Sequence, residues 1–314
     1  LALAAPGPVS GVNVYAMRLG YAPGSGARLG SLELLEDLGG AEGVLPPPGG
    51  LDLVIMNPPF TRATGRGRKF KESGASSGLF GFVADAGARR ELAERLGGLR
   101  RRVREDLLRI AWSLEGELSA EIREMLGGKE EYRPYLSIGQ AGEGLLFLYL
   151  AYRYVKPGGV IAFVLPRNLL AGVSWFLARA LLASKFHLRY VVVSSDSEGG
   201  YNFSEGTNLS EVLVVARRAD EHGEDEETVF VNLLRKPRTG LEAMTFAGLV
   251  DGTGGVVELE SRGAVAVVSR VRRGELLGNM DNWNRFVALA DPELLREIMG
   301  PVSYTHLRAH ETVL

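Results

Sequence analysis

Apolar positions along the chain change their period from segment to segment. Residues 51–56, LDLVIM, form a short, nearly continuous apolar run with β-branched Val54 and Ile55. Its length predicts a strand buried on both faces, as in a parallel sheet. It stops at Asn57-Pro58-Pro59-Phe60, because two successive prolines supply no backbone N–H and cannot continue a central strand. Over residues 85–133 the period lengthens. Leu92, Leu96, Leu99, Val103, Leu107, Ile110, Leu114, Leu118 and Ile122 recur at spacings of three and four, one helical stripe. Gly97-Gly98 and Gly116 are predicted to divide it into two or three helices. Residues 134–193 then alternate. A largely apolar helix over 139–154 is stopped by Lys156-Pro157-Gly158-Gly159. A buried strand follows over 160–165, a second helix over 169–182 and a short strand over 190–194. This rhythm predicts right-handed βαβ units and an open, doubly wound α/β sheet. Another strand is predicted over 211–216. Upstream there is one strand over 12–19, a loop marked by Gly24, Gly26 and Gly30, and a short helix from Ser31, which reads equally well as that helix's cap.

Composition narrows the class. A chain of 314 residues, 46% hydrophobic and 24% charged, can bury one large core plus appendages. Cysteine is absent and the four histidines are scattered, so neither disulfides nor a metal site is expected. No apolar span is long enough to cross a bilayer and no signal peptide is evident, so a cytoplasmic location is the default. The net charge of −2 does not mark a nucleic-acid binder, so any basic surface must be local.

The candidate chemistry sits where the 51–56 strand ends. Ligands of open α/β sheets bind at the strands' carboxyl edge. The prolines fix the backbone, so the Asn57 side chain and the Pro58 carbonyl can converge on one point. Both offer acceptor oxygens, which suits a planar amino group. Phe60 offers a flat face on which a base could stack. An amino group whose hydrogens are both accepted becomes a better nucleophile without a charged base. Residues 61–84 are loop-like and basic. Arg62, Arg66, Arg68 and Lys69, with nearby aromatics, suit contacts to phosphates, the alternative being a solvated loop. Arg100, Arg101, Arg102 and Arg104 read as a solvated helix face.

Asn57-Pro58-Pro59-Phe60 resembles the catalytic tetrapeptide of amino-directed, S-adenosylmethionine-dependent methyltransferases, above all the adenine-specific DNA methyltransferases of restriction-modification and phage-defence systems. Residues 154–166, YVKPGGVIAFVLP, resemble that family's next helix end, turn and strand. Residues 201–218 resemble its closing hairpin, with an antiparallel last strand. Together these segments cover about half the chain. The resemblance implies a class I, Rossmann-like methyltransferase domain. Its reaction would be methyl transfer from S-adenosyl-L-methionine to the exocyclic amino group of adenine in double-stranded DNA. It further implies a flipped target base and a nuclease or specificity partner, either as a subunit or as a fused domain. Within it, Asn57, Pro58, Pro59 and Phe60 are catalytic, Phe203 lines the base pocket and Asn168 joins the DNA-binding residues at the same sheet edge. Gly30-Ser31-Leu32 stands where the family often has Gly-Asp-x-Leu against the cofactor, with serine in place of the acid. The glycine-rich turn and ribose-binding acid that such a fold needs do not precede Leu51. Asp251-Gly252-Thr253-Gly254-Gly255 reads as a loop rather than their substitute. The chain is therefore expected to be an amino-terminally truncated fragment, inactive alone.

On this basis residues 1–84 hold part of the methyltransferase core, 85–133 a helical insertion and 134–218 the rest of the core. Residues 219–300 hold a linker and a partial target-recognition region. Residues 301–314 resemble translated vector read-through. The same tetrapeptide also serves methyltransferases of ribosomal RNA guanine or of a release-factor glutamine amide. A non-catalytic DNA-binding subunit is a third reading.

Overall fold

The computed structural model describes residues 17, 19–22, 26–36, 47–59, 83, 85–204, 209–223, 225–252, 254–259 and 263–288. The first element is a separate antiparallel ribbon, β1 (Leu19–Ala22) and β2 (Gly26–Leu29). The strand predicted over 12–19 falls mostly outside the described residues, and its last residue opens β1 instead. Of the glycines read as a loop, Gly26 opens β2 at φ +67° and Gly30 opens the next element, while Gly24 lies outside the described residues. A 3-10 helix, Gly30–Leu35, follows directly. No side chain caps it and it starts one residue before Ser31, so Ser31 is not its cap.

β3 (Leu51–Met56), α1 (Ala86–Trp112), α2 (Ala120–Leu126), α3 (Glu143–Tyr154), β4 (Val155–Pro166), α4 (Phe176–Lys185), β5 (Phe186–Ser194) and β6 (Glu211–Arg218) come next. After them run β7 (Glu227–Leu233), α5 (Gly240–Gly252), β8 (Gly255–Leu259), β9 (Gly263–Arg272) and α6 (Arg273–Gly278). Seven strands form one mixed sheet in the order β3-β4-β6-β5-β7-β9-β8. β3 and β4 are parallel, with Met56 opposite Phe163, and α3 crosses between them. β6 runs antiparallel to both β4 and β5, so the expected antiparallel closing strand is present. Residues 227–272, beyond the acidic linker, continue this sheet: β7 pairs parallel to β5, and β9 pairs antiparallel to β7.

α1 is one helix through Gly97-Gly98, not two. Asp85 caps its start by accepting from the Ala88 N–H. Its stripe of Leu92, Leu96, Leu99, Val103 and Leu107 is fully buried. Burying five large side chains along one seam outweighs about 1 kcal/mol per glycine. The helix predicted over 169–182 starts later, at Phe176, after two 3-10 turns. The reason is Arg179. Its guanidinium is fully buried and donates to the carbonyls of Leu169, Gly172, Met280 and Asp281, which ties the 169–172 turn to the chain before Trp283 and holds it out of a continuous α-helix. Burial pushes its pKa down to about 10, still far above neutrality, so the cation keeps all four acceptors.

α1, α3 and α4 cover one face of the sheet over Val54, Ile161, Phe163, Val191 and Val214. α5 covers part of the other face, over Val229, Val231 and Leu233. β3 corrects the expectation of burial on both faces. Among the described residues it is an edge strand, and only Val54 is buried. Leu53 and Ile55, on its second face, are 38% and 63% exposed because no described element packs over them.

Candidate active site at the carboxyl edge of the sheet

β3 and β4 point the same way, so Asn57 and Pro166-Arg167-Asn168 leave the sheet on the same edge. Pairing is close at the opposite end. A Cβ at Gly159 would come within 2.9 Å of the Asp52 carbonyl, so glycine there lets β4 dock on β3. The diproline then ends β3 as its chemistry requires, with Pro58 buried and Asn57 and Pro59 exposed. The Asn57 amide N–H donates to Ser204 Oγ at 3.0 Å, which leaves its Oδ1 as an acceptor at the sheet edge.

Ser204 is held in turn. Glu211, the first residue of β6, is fully buried, and its Oε2 accepts from the N–H groups of Phe203 and Ser204 at 2.5 and 2.8 Å. The Asn202 amide donates to the Ser204 carbonyl, and Lys236 Nζ donates to the Asn202 carbonyl. Upstream, buried Asp196 accepts from the N–H groups of Glu198, Gly199 and Lys236. Burial raises its carboxyl, but these three N–H groups and the Arg235 guanidinium outweigh it and hold the pKa below the usual carboxylate range. The 196–204 segment is thus clamped from both ends, and Ser204 is presented to Asn57.

The other predicted residues are placed as follows. Asn168 is exposed at the carboxyl edge, one residue beyond Arg167, whose N–H meets the Ser210 carbonyl. The Phe203 ring packs with Tyr190 and Val192 in the apolar cleft beneath α5, so it turns toward the second face of the sheet while Ser204 meets Asn57. Gly30, Ser31 and Leu32 lie in the 3-10 helix packed near α1 and α3. Phe60, Arg62, Arg66, Arg68 and Lys69 lie outside the described residues. Sequence reading missed Ser204 and Glu211. No local signal marks them, because their roles come from a loop that returns across the sheet edge.

Gly30-Ser31-Leu32 is the one segment expected to touch S-adenosylmethionine, the methyl donor that the sequence resemblance implies. Leu32 is fully buried in the core, and Glu33, the acid beside it, already holds the Leu29 N–H, Arg28 and Arg95. These residues do not form a cradle for S-adenosylmethionine, and among the described residues no glycine-rich turn follows a strand beside Asn57.

No protein-family model and no curated protein matches the chain. Among solved structures it is similar to the methyltransferase subunit of a type I restriction-modification system from Streptococcus thermophilus, at 14% identity and TM-score 0.44, covering 83% of this chain and 42% of that one. It is also similar to the type IIG restriction endonuclease BpuSI, at 18% identity and TM-score 0.38, covering 76% of this chain and 21% of that one. For the M protein of the type I restriction enzyme EcoKI, identity is 18%, TM-score 0.33, and coverage 45% and 36%. The chain spans less than half the length of each of these structures.

Proposed function

We propose that this chain is the target-base half of a site-specific DNA methyltransferase that acts on the exocyclic amino group of adenine. Supporting it is the Asn57-Pro58-Pro59 turn itself, which leaves a parallel strand at the sheet's carboxyl edge with the Asn57 amide N–H fixed by Ser204 and its Oδ1 without a partner among the described residues. An acceptor so anchored is pre-oriented for one amino hydrogen, and the Pro58 carbonyl supplies the second acceptor. Withdrawing both hydrogens toward acceptors leaves the nitrogen lone pair free to attack. Phe60 would stack on the flipped base, and Arg62, Arg66, Arg68 and Lys69 would neutralise phosphates of double-stranded DNA. Asn168 would contact the same strand.

S-adenosyl-L-methionine, the methyl donor that the sequence resemblance implies, supplies an electrophilic methyl group when bound. The residues Gly30, Ser31 and Leu32 do not fit it, so the assignment rests on amino-group recognition and not on a cofactor site. A nuclease or specificity subunit as partner belongs to the same proposal.

The test is discrimination by a single amino group. In duplexes with randomised flanks, a central adenine is placed opposite an abasic site to ease flipping, and a purine lacking the 6-amino group replaces it in a second pool. The protein should bind the adenine pool about tenfold tighter, because a site built to accept N–H groups rejects the analogue without them. Asn57→Ala should erase that preference while lowering stability by less than about 1 kcal/mol, the worth of one exposed hydrogen bond. Equal binding of both pools by the native chain would falsify the reading.

A further inference from the structure

Beside the Asn57 turn, and sharing no residue with it, lies a second concavity of about 530 Å³. It opens at the same edge, between the end of β4, the start of α3 and the segment entering β6. Three side-chain amides and a guanidinium face it: Gln140, Asn168, Asn284 and Arg167. Asn284 Oδ1 accepts from both Nε and Nη2 of Arg167, at 3.3 and 3.2 Å, which leaves its amide N–H₂ as a donor. Among the described residues, Gln140 and Asn168 make no side-chain hydrogen bond. Each therefore keeps a donor pair and an acceptor.

The pocket is built on fixed backbone. The Gly172 N–H bonds the Asn168 carbonyl at 2.6 Å, and a Cβ at Gly172 would strike that same oxygen at 2.6 Å, so this turn closes only with glycine. Buried Arg179 then ties the Gly172 carbonyl to the chain before Trp283, and the Trp283 N–H meets the Leu170 carbonyl at 2.7 Å. That places Asn284 opposite Asn168. Buried Trp175, with its ring edge against Gly144, packs beneath the pocket.

A concavity of this size, lined by several groups that both donate and accept, matches the edge of a heterocyclic base better than an anion or an apolar ligand. Amide side chains read base edges in pairs, as asparagine and glutamine read adenine. We propose that this pocket holds a base next to the target on the same DNA strand, and that Gln140, Asn168 and Asn284 set sequence preference at that position. The proposal rests on the reading of Asn57 as the amino-group acceptor, and it adds that the recognition sequence is partly read by the sheet edge itself.

The experiment sequences the bound fraction of the adenine pool with randomised flanks. For the native chain, one base at one position adjacent to the central adenine should be enriched about tenfold over the others, the discrimination of one paired amide contact. In a Gln140→Ala, Asn284→Ala double variant that enrichment should fall to about twofold, with preferences at other positions unchanged. Both side chains are exposed, so the fold should persist, as a native-like thermal melt will confirm. No adjacent-base enrichment in the native chain, or an unchanged enrichment in the double variant, overturns the proposal. A native chain that keeps its neighbour enrichment but binds the adenine and purine pools equally leaves the pocket standing as a base reader and removes the Asn57 reading alone.

Discussion

The two faces of the seven-stranded sheet are built from similar residues and meet different fates. On one face, Val54, Ile161, Phe163, Val191, Val193, Val212 and Val214 are all buried under α1, α3 and α4. On the other, Leu53 and Ile55 are exposed, and Val160, Ala162, Val164, Leu213 and Val215 are only half-buried. α5 covers just the far end, and its own outer side chains Leu241 and Met244 are 76% and 74% exposed. Apolar alternation in a strand says that a side chain suits burial; a packed partner decides whether burial happens. The candidate site belongs to the edge between the faces, held by the buried one.

The comparison breaks or sharpens under substitution. Phe163→Ala on the covered face should lower unfolding free energy by about 4 kcal/mol, through lost transfer energy and the cavity left behind. Chemical denaturation checks this, and a loss under 1 kcal/mol would mean the face is loosely packed. Arg179→Met comes next, at about 3 kcal/mol, since four carbonyls lose a charged donor, two of them in fully buried bonds. That variant should also loosen the 167–172 turn, visible as faster amide exchange at Leu170 and Gly172.

Asp196→Asn should be worth about 1.5 kcal/mol at neutral pH, as a charged acceptor is lost from three backbone donors. Because folding lowers the Asp196 pKa, its contribution is complete above the ordinary value of about 4 and is lost as pH falls through the folded value. The native chain should therefore lose this stability below about pH 4, and the variant should be flatter there. An identical acid profile for the two would show that Asp196 does not carry the clamp. Ile55→Ala, on the open face, should change stability by less than about 0.5 kcal/mol. A loss comparable to that of Phe163→Ala would reveal that something covers Ile55 in solution.

Much of the sheet was legible in the chain. The runs at 51–56, 160–165, 190–194 and 211–216 all became strands, and the helical stripe from Leu92 to Leu107 became the buried seam of α1. Boundaries failed where long-range contacts intervene. α4 begins late because buried Arg179 ties the 169–172 turn ahead of it to the chain before Trp283. The glycines at 97 and 98 do not break α1 because packing carries it through. At the site, the diproline stop was visible, and Asn57 does leave β3 at the carboxyl edge of the sheet. Its partner Ser204 was not visible, because that contact spans 147 positions.

What the sequence determined alone is local and periodic: strand, diproline stop, helical stripe, and an amide beside rigid backbone. These follow from steric limits on proline and from the spacing of apolar side chains, which need no partner to be read. The tertiary structure alone decided which face of β3 is buried, that Glu211 presents Ser204 to Asn57, and that Gln140, Asn168 and Asn284 meet in one pocket. Those outcomes depend on contacts between residues far apart in the chain, and such contacts exist only once the sheet has closed and its register is set.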